Sequence, residues 1–248
     1  MIPCSQSPAG AKHSDNAQGL PAWHWAVGVT TAPRRETTLT RTVASLESAG
    51  WTSIRLFAEP GLSPPTELGR LAVSARDQRL GAFANFYLGL VELVLRQPLA
   101  DAYMMCQDDV VFTAGLRAYL EHSLWPAGEI GVVSVYCPTH ATVAAAFGFH
   151  REDRGWQACG AHCYVFPPPA ARRFLTCLGV LEHRISGPAQ GERNIDSVVG
   201  RWCHDHRLGY FVHRPSLAQH IGVTSTLYPT ARNVGRRAAD DFLEHFPT

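Results

Sequence analysis

The fold is decided by residues 102–112, AYMMCQDDVVF, in which two adjacent carboxylates interrupt an apolar run. The apolar part is typical of a strand that is buried on both faces, as in the parallel sheet of an α/β protein. Because an unpaired carboxylate is costly to bury, the strand is expected to end at Gln107 and to place Asp108 and Asp109 at its carboxyl end. Ligands bind at this edge of open α/β sheets, and carboxylate oxygens suit Mg²⁺ or Mn²⁺. The same pair also fits a turn followed by a capped helix over residues 113–122.

The composition is that of a globular protein with a sizeable core. Of the 248 residues, 46% are hydrophobic and 17% are charged. A chain of this length forms one large α/β domain or two small ones. The net charge of +1 provides no general attraction to nucleic acid or to an anionic membrane. Lys12 is the only lysine, so phosphate contacts are expected from arginine, backbone N–H groups and metal.

The cysteines and the N-terminal segment bear on the cellular compartment. Seven cysteines occur without a Cys-x-x-Cys motif, and their odd number and apolar surroundings indicate reduced thiols. Cys159 and Cys163 flank His162, and residues 203–206 contain a cysteine and two histidines, but neither group has a standard zinc spacing. Residues 1–22 lack the pattern of a signal peptide, and no stretch approaches the roughly 20 apolar residues of a membrane helix. We therefore expect a cytoplasmic protein with a flexible tail at residues 1–22 and no membrane span.

Hydrophobic periodicity predicts strands that alternate with helices over one domain, residues 23–248. This alternation predicts an α/β fold, with a central and mostly parallel sheet flanked by helices. Strands are predicted at 22–31, 54–58, 102–107, 130–137, 161–166 and 210–213. Helices are predicted at 38–49, 82–96, 167–178 and 194–204. Thr37 or Thr38 is expected to cap the first helix, and Gly50 is expected to end it.

Four short motifs are spaced over residues 25–229. They are VGVTT at 27–31, QDD at 107–109, NID at 194–196 and QHIGVTS at 219–225. Their order resembles that of a GT-A fold nucleotide-sugar glycosyltransferase, with a Rossmann-like domain. The four motifs look like the nucleotide loop, the metal-binding acidic motif, the segment of the catalytic carboxylate and the C-terminal histidine motif. The last motif is similar to that of N-acetylglucosaminyltransferase IV-like enzymes.

This resemblance implies a metal-dependent transfer of a sugar from a UDP-sugar to a hydroxyl acceptor, with inversion at the sugar carbon. Asp109 and His220 are the implied ligands of Mn²⁺ or Mg²⁺, and a carboxylate with an imidazole suits Mn²⁺. An inverting transfer needs a general base for the acceptor hydroxyl, and Asp196 is the implied base, with Glu192 as the second choice. The start of a helix favours the ionised form of Asp196.

The resemblance also implies a nucleotide-binding half, about 23–112, and an acceptor half, about 113–248. Nucleotide-sugar contacts are expected from Thr30, Thr31, Arg34, Glu59, Asp108 and Ser225. Trp156 and Gly160, before the strand at 161–166, are expected to contact the acceptor. The acceptor itself is left open among a glycan, a metabolite and a modified nucleic-acid base.

Two other classes of protein fit parts of the pattern. A nucleotidyltransferase that makes sugar nucleotides would need a glycine-rich phosphate loop with a basic residue after the first strand, and residues 30–33, TTAP, do not form one. A non-catalytic sugar- or zinc-binding domain is compatible with Gln107, an amide at the family's first acidic position, and with the histidine-rich segments. Metal-dependent hydrolysis of a UDP-sugar separates the three classes.

Overall fold

The fold is seen in a computed structural model, which describes residues 23–138, 146–152, 160–191, 193–223 and 238–246. The predicted tail at residues 1–22 lies outside the described residues, and so do Trp156, Glu192 and Ser225.

The described residues contain ten strands and six α-helices. The strands are β1 (Trp25–Thr31), β2 (Ile54–Ala58), β3 (Ala72–Ala75), β4 (Ala102–Gln107), β5 (Val110–Phe112), β6 (Ile130–Ser134), β7 (Gly148–Arg151), β8 (Cys163–Phe166), β9 (Gly209–Arg214) and β10 (Ala218–His220). The helices are α1 (Leu39–Ala49), α2 (Ala82–Arg96), α3 (Leu116–Ser123), α4 (Pro168–Thr176), α5 (Leu178–Ser186) and α6 (Ile195–Asp205).

Eight of the strands form one sheet in the order β3-β2-β1-β4-β8-β6-β9-β7. The neighbours β1–β2, β1–β4, β2–β3 and β6–β9 are parallel, whereas β8 is antiparallel to β4 and β6, and β7 is antiparallel to β9. The predicted α/β class, with a mostly parallel central sheet flanked by helices, is confirmed. From β1 the chain runs outward to β3 and then returns to β4 on the other side of β1, so the strand order reverses between β1 and β4. Such a reversal is where open α/β sheets bind their ligands.

Helix α2 packs against the sheet on a stripe of helical period, for which the sequence predicts burial of Phe83, Phe86, Leu90, Leu93 and Val94. The first four are buried and Val94 is partly buried. Two glycines allow the close approach, because a Cβ added at Gly28 of β1 or at Gly89 of α2 would lie less than 3 Å from both Phe57 and Met105. Any side chain at either glycine would push the helix away from the strands that carry the site.

The first helix starts where the sequence predicts, but its cap residue makes a different hydrogen bond. Thr38 occupies the N-cap position, but its hydroxyl makes no capping hydrogen bond and instead donates to the carbonyl of Asp108 at 2.7 Å. The Thr38 hydroxyl, which helix propensity assigns to an N-terminal cap, thus forms a tertiary hydrogen bond instead. Gly50 ends the helix as predicted, with a φ of 111°.

Other predicted bounds are also corrected. The strand at 130–137 ends at Ser134, and the strand at 161–166 begins at Cys163. The helix at 167–178 ends at Thr176, and α5 follows it without having been predicted. Strands β3, β5, β7 and β10 are not predicted by the sequence, because each is only three or four residues long. The alternative for the Asp pair is correct for the turn and for a nearby helix, but β5 follows the pair, and α3 begins at Leu116 with Gly115 at its N-cap position.

His213 on β9 is fully buried in an aromatic cluster. Its ring contacts Tyr119, Phe147 and Phe149 edge to face. Nδ1 lies 2.7 Å from the carbonyl oxygen of Pro215, which can only accept, so Nδ1 carries the proton and Nε2 accepts from the Tyr119 hydroxyl at 2.7 Å. Burial, assisted by the charge of His150, lowers the pKa of His213 to about 4, although the hydrogen bond to Pro215 opposes the shift.

This low pKa predicts that the protein is destabilised by mild acid. The ordinary pKa of histidine is 6.5, so the unfolded chain takes up a proton first as the pH falls. The contribution of His213 to stability is therefore complete above pH 6.5 and is lost as the pH falls toward about 4, with a loss of about 2 kcal/mol at pH 5. Urea unfolding of the protein and of His213→Gln at pH 7 and pH 5 measures this loss, which the variant should lack. An equal pH dependence in both proteins would contradict the assignment.

Candidate metal centre

Asp108 and Asp109 form the turn between β4 and β5, at the carboxyl edge of β1 and β4 where the sequence predicts them. Their exposed fractions are only 2% and 5%. The turn is held from α1, because the hydroxyls of Thr38 and Thr42 both donate to the carbonyl of Asp108, at 2.7 and 2.8 Å. The carboxylates are therefore fixed in position by a helix that packs behind them.

Asp109 belongs to a group of three potential metal ligands with His162 and His220. One ligand atom from each lies within 4.8 Å of the others. Nε2 of His220 lies 3.2 Å from Oδ2 of Asp109. One carboxylate and two imidazoles at this spacing could hold a divalent metal ion.

Two strand pairings bring the histidines to the carboxylate. Antiparallel pairing places the start of β8 beside the end of β4, where the Gln107 N–H donates to the carbonyl of His162 at 3.0 Å. Strands β5 and β10 form a separate antiparallel ribbon in which His220 faces Val110. The N–H of Ile221 then donates to the carbonyl of Asp109 at 2.8 Å, which continues the ribbon to the Asp turn.

The surroundings of the three side chains suit a ligand set. The His162 ring lies between the rings of Tyr136 and His220, with centroid distances of 4.5 and 4.6 Å. Oδ1 of Asp109 is buried and accepts no hydrogen bond from any described residue. A Cβ added at Gly222 would lie 2.8 Å from both Asp109 Oδ2 and His220 Nε2, so only glycine leaves room beside the ligand atoms. The residues present therefore fit a metal ion.

Gly222 provides a test of this site that leaves every ligand in place. The Cβ of Gly222→Ala would displace Asp109 or His220, and disturbed ligand orientation typically costs about 10- to 100-fold in metal affinity. We expect Mn²⁺ binding, followed by electron paramagnetic resonance, to weaken at least about tenfold. Gly128→Ala is the matched control, because a Cβ there would meet no atom within 4 Å. Equal Mn²⁺ affinity in the two variants would contradict the site.

Arg34 neutralises the Asp pair. Its NH2 lies 2.5 Å from Oδ1 of Asp108, and its NH1 lies 2.9 Å from Oδ2 of Asp109. Oδ2 of Asp108 also accepts the Thr31 hydroxyl at 2.6 Å. The guanidinium therefore bridges the two carboxylates, while Thr31 ties one of them to β1.

The two carboxyl groups differ in acidity. Burial opposes the ionisation of Asp109, but the hydrogen bond from His220 and the charges of Arg34, His162 and His220 outweigh it and hold the pKa of Asp109 below its usual range. Burial raises the pKa of Asp108, and the repulsion from Asp109 adds to this effect against the attraction of Arg34. Asp109 is thus the carboxylate that stays ionised, as a metal ligand must.

A cleft of about 350 Å³ opens beside the pair, at the reversal between β1 and β4. Its lining includes five of the side chains expected to contact a nucleotide sugar, namely Thr30, Thr31, Arg34, Glu59 and Asp108. Arg79 and Asn85 line it from the side of α2. The cleft therefore extends from the end of the first strand to Asp108, the neighbour of Asp109, and two arginines line it, although none of the three potential metal ligands does.

Glu59 lies at the cleft but uses its carboxylate locally. Its two oxygens accept the N–H groups of Leu80 and Gly81, at 2.9 and 3.0 Å. Gly81 has a φ of 84°, a conformation that favours glycine. Glu59 thus fixes the loop that leads into α2 and shapes the wall of the cleft.

Asp196 lies in the first turn of α6, which packs in the same core cluster as α2. Its Oδ1 accepts the N–H of Ala161 at 2.6 Å and the hydroxyl of Tyr164 at 3.2 Å. Ala161 is the immediate neighbour of His162, so the residue that anchors Asp196 directly precedes a potential metal ligand. Gly160 is buried, and a side chain there would collide with the hydroxyl of Tyr210, so packing explains this glycine.

His162 is the site residue that sequence reasoning missed. The sequence shows it only between Cys159 and Cys163, which do not have a standard zinc spacing, and Cys159 lies outside the described residues. The available signal was its position just before a buried strand, but its role depends on the antiparallel pairing of β8 with β4. The described cysteines, Cys106, Cys137, Cys163, Cys177 and Cys203, are all free thiols.

Comparison with models of known protein families, and with the sequences of curated proteins, finds no match to this chain. Within the part of the chain that the structure describes, no helix combines the length and the apolar character needed to cross a membrane.

Proposed function

We propose that this protein is a metal-dependent glycosyltransferase that moves a sugar from a UDP-sugar to a hydroxyl group of an acceptor. One observation supports this function above the others. Asp109, His162 and His220 converge beside a cleft that contains arginines, at the point of the sheet where ligands are expected. A metal centre next to such a cleft suits a substrate that carries a diphosphate.

The ligand set favours Mn²⁺ over Mg²⁺. Mg²⁺ prefers oxygen ligands and keeps several waters, whereas two imidazoles with one carboxylate suit a transition metal. When bound, the ion would supply positive charge that stabilises the departing diphosphate.

The remaining steps belong to side chains of this protein. Arg34 and Arg79 are placed at the cleft to donate charge-assisted hydrogen bonds to phosphate oxygens. Thr31 holds Asp108, and the hydroxyls of α1 hold the turn, so the metal ligands keep their geometry as the substrate binds. Asp196 accepts the proton of the acceptor hydroxyl as that oxygen attacks the sugar carbon. A single displacement of this kind inverts the configuration at that carbon.

The proposed setting is the cytoplasm, where free thiols are the usual state of cysteine. The acceptor carries a hydroxyl group and is a glycan, a metabolite or a modified nucleic-acid base. The near-neutral charge of the chain does not select among them.

Release of UDP from UDP-sugars tests the function. We expect slow Mn²⁺-dependent release without an acceptor, which EDTA stops and a correct acceptor accelerates. Turnover that depends on pyrophosphate would identify a nucleotidyltransferase instead. A protein that retains zinc and neither binds UDP nor hydrolyses any UDP-sugar would be a binding domain, and the proposal would be wrong.

A further inference from the structure

Arg34 forms an ion pair with a carboxylate that is a potential metal ligand. The guanidinium NH1 lies 2.9 Å from Oδ2 of Asp109, and the same oxygen lies 3.2 Å from Nε2 of His220. The side chains of Arg34, Asp108 and Asp109 are only 12%, 3% and 7% exposed, so this ion pair is enclosed. A cation of the protein itself therefore sits on the carboxylate that the metal would use.

We propose that Arg34 is an internal counter-cation that a divalent metal displaces, and that the displaced guanidinium then binds the anionic group of the substrate in the cleft. This inference rests on the proposed function for the identity of that anion, a nucleoside diphosphate. It goes beyond that function by assigning Arg34 two alternative partners. Metal and diphosphate then favour each other's binding through one side chain.

The first part of the exchange follows from electrostatics. A metal ion bound to Asp109 would lie about 2.1 Å from a carboxylate oxygen, and NH1 lies within hydrogen-bond distance of the same group. Two cations held within a few ångströms in an enclosed site repel strongly. Without the metal, however, two nearly buried carboxylates need a positive partner, and Arg34 is the one that bridges both. The pair is therefore neutralised by either cation but poorly accommodates both.

The second part follows from the position of Arg34 and from a donor that it leaves unused. Arg34 follows β1 in the loop that lines the cleft, so its side chain reaches the open cavity by rotating away from the pair. Its Nε is buried and donates to no described residue, so the ion pair leaves one donor of the guanidinium unsatisfied. A diphosphate offers several oxygens that match the fork of the guanidinium. When Arg34 leaves the Asp pair for a diphosphate, it exchanges one anionic partner for another that can accept hydrogen bonds from more of its donors.

The test compares Arg34→Gln with Arg35→Gln, in which the neighbouring exposed arginine is changed in the same way. The Kd for Mn²⁺ is measured by electron paramagnetic resonance, with and without UDP. In Arg34→Gln we expect Mn²⁺ alone to bind at least about tenfold more tightly, because its competitor is gone. We expect UDP at saturating Mn²⁺ to bind at least about tenfold more weakly, because its anion has lost a donor. Arg35→Gln should change neither constant.

Thermal unfolding shows whether a changed Kd in the Arg34→Gln variant comes only from loss of folding. With EDTA, Arg34→Gln should melt below the parent protein, and Mn²⁺ should raise its melting temperature by more than it raises that of the parent. If this variant fails to fold, Arg34→Lys serves instead, because an ammonium group keeps the charge but cannot bridge both carboxylates. It should bind Mn²⁺ more tightly and UDP more weakly than the parent, by smaller factors.

An unchanged or weaker Mn²⁺ affinity in the Arg34 variants would overturn the inference, and so would the absence of Mn²⁺ binding in every form. If the Arg34 variants shift the Kd values for Mn²⁺ and UDP as expected but no UDP-sugar is hydrolysed, the inference about Arg34 holds and the proposed function is wrong.

Discussion

Replacing Asp109 with Asn is expected to abolish Mn²⁺ binding and metal-dependent UDP release while the fold is retained. Asp109 is the only anionic member of the ligand group, and its pKa lies below the usual range, so the parent protein presents a full charge to the metal. The amide has the same size but a neutral oxygen. Changes around metal ligands already cost about 10- to 100-fold in affinity, so loss of the charged ligand should cost at least about 100-fold. Titration with Mn²⁺ and an assay of UDP release measure both effects.

Asp101→Asn is the matched control for this prediction. Asp101 precedes the same strand, β4, at its opposite end, is exposed and accepts the N–H of His24 at 2.8 Å. It should keep the Mn²⁺ affinity and UDP release of the parent protein. Near-parental Mn²⁺ binding by Asp109→Asn, with circular dichroism unchanged, would show that the metal lies elsewhere or that the cleft works without one.

The parts of the site that local sequence determines were predictable. The buried run of β4 must end before a charged pair, which placed Asp108 and Asp109 at the sheet edge. The stripe of α2 follows from its helical period, and the structure gives the predicted bounds, Ala82–Arg96. In both cases the pattern of a few neighbouring residues is enough to predict the element and its position.

The partners of the Asp pair could not be predicted, because they depend on contacts between distant segments. His162 reaches Asp109 only through the antiparallel pairing of β8 with β4, and a buried strand of this length does not reveal its direction. From the sequence, Arg34 is predicted only as a loop arginine that contacts phosphate. The residues next to it in the sequence do not indicate an ion pair with two carboxylates far along the chain. The hydroxyl of Thr38 was assigned to a helix cap for the same reason, yet it binds the Asp turn.

For Asp196, which the sequence suggests through the family resemblance, the structure adds the hydrogen-bond partners of its carboxylate. Its Oδ1 is held by the N–H of Ala161 and the hydroxyl of Tyr164, and that hydroxyl accepts from Tyr210 at 3.0 Å. These bonds fix the carboxylate in one orientation at the start of α6. Because Ala161 adjoins His162, the carboxylate is anchored at the residue that precedes one of the three potential metal ligands.

Asp196→Asn is expected to separate binding from chemistry. The amide oxygen can still accept from Ala161 and Tyr164, so the fold, the Mn²⁺ affinity and the UDP-sugar affinity should stay close to those of the parent protein. The amide cannot take the proton of the acceptor hydroxyl, and loss of a general base typically lowers kcat by about 10²- to 10⁴-fold. Steady-state kinetics with an acceptor, together with calorimetric titration of UDP, measure the two effects separately. Tyr164→Phe is the control for orientation, because it keeps the carboxylate and its bond from Ala161 but loses the hydroxyl that donates to Asp196 and accepts from Tyr210, and it should lower kcat by less than Asp196→Asn. Parental turnover in Asp196→Asn would place the base elsewhere, with Glu192 as the next residue to replace, and a product that keeps the configuration of the donor would exclude the inverting mechanism.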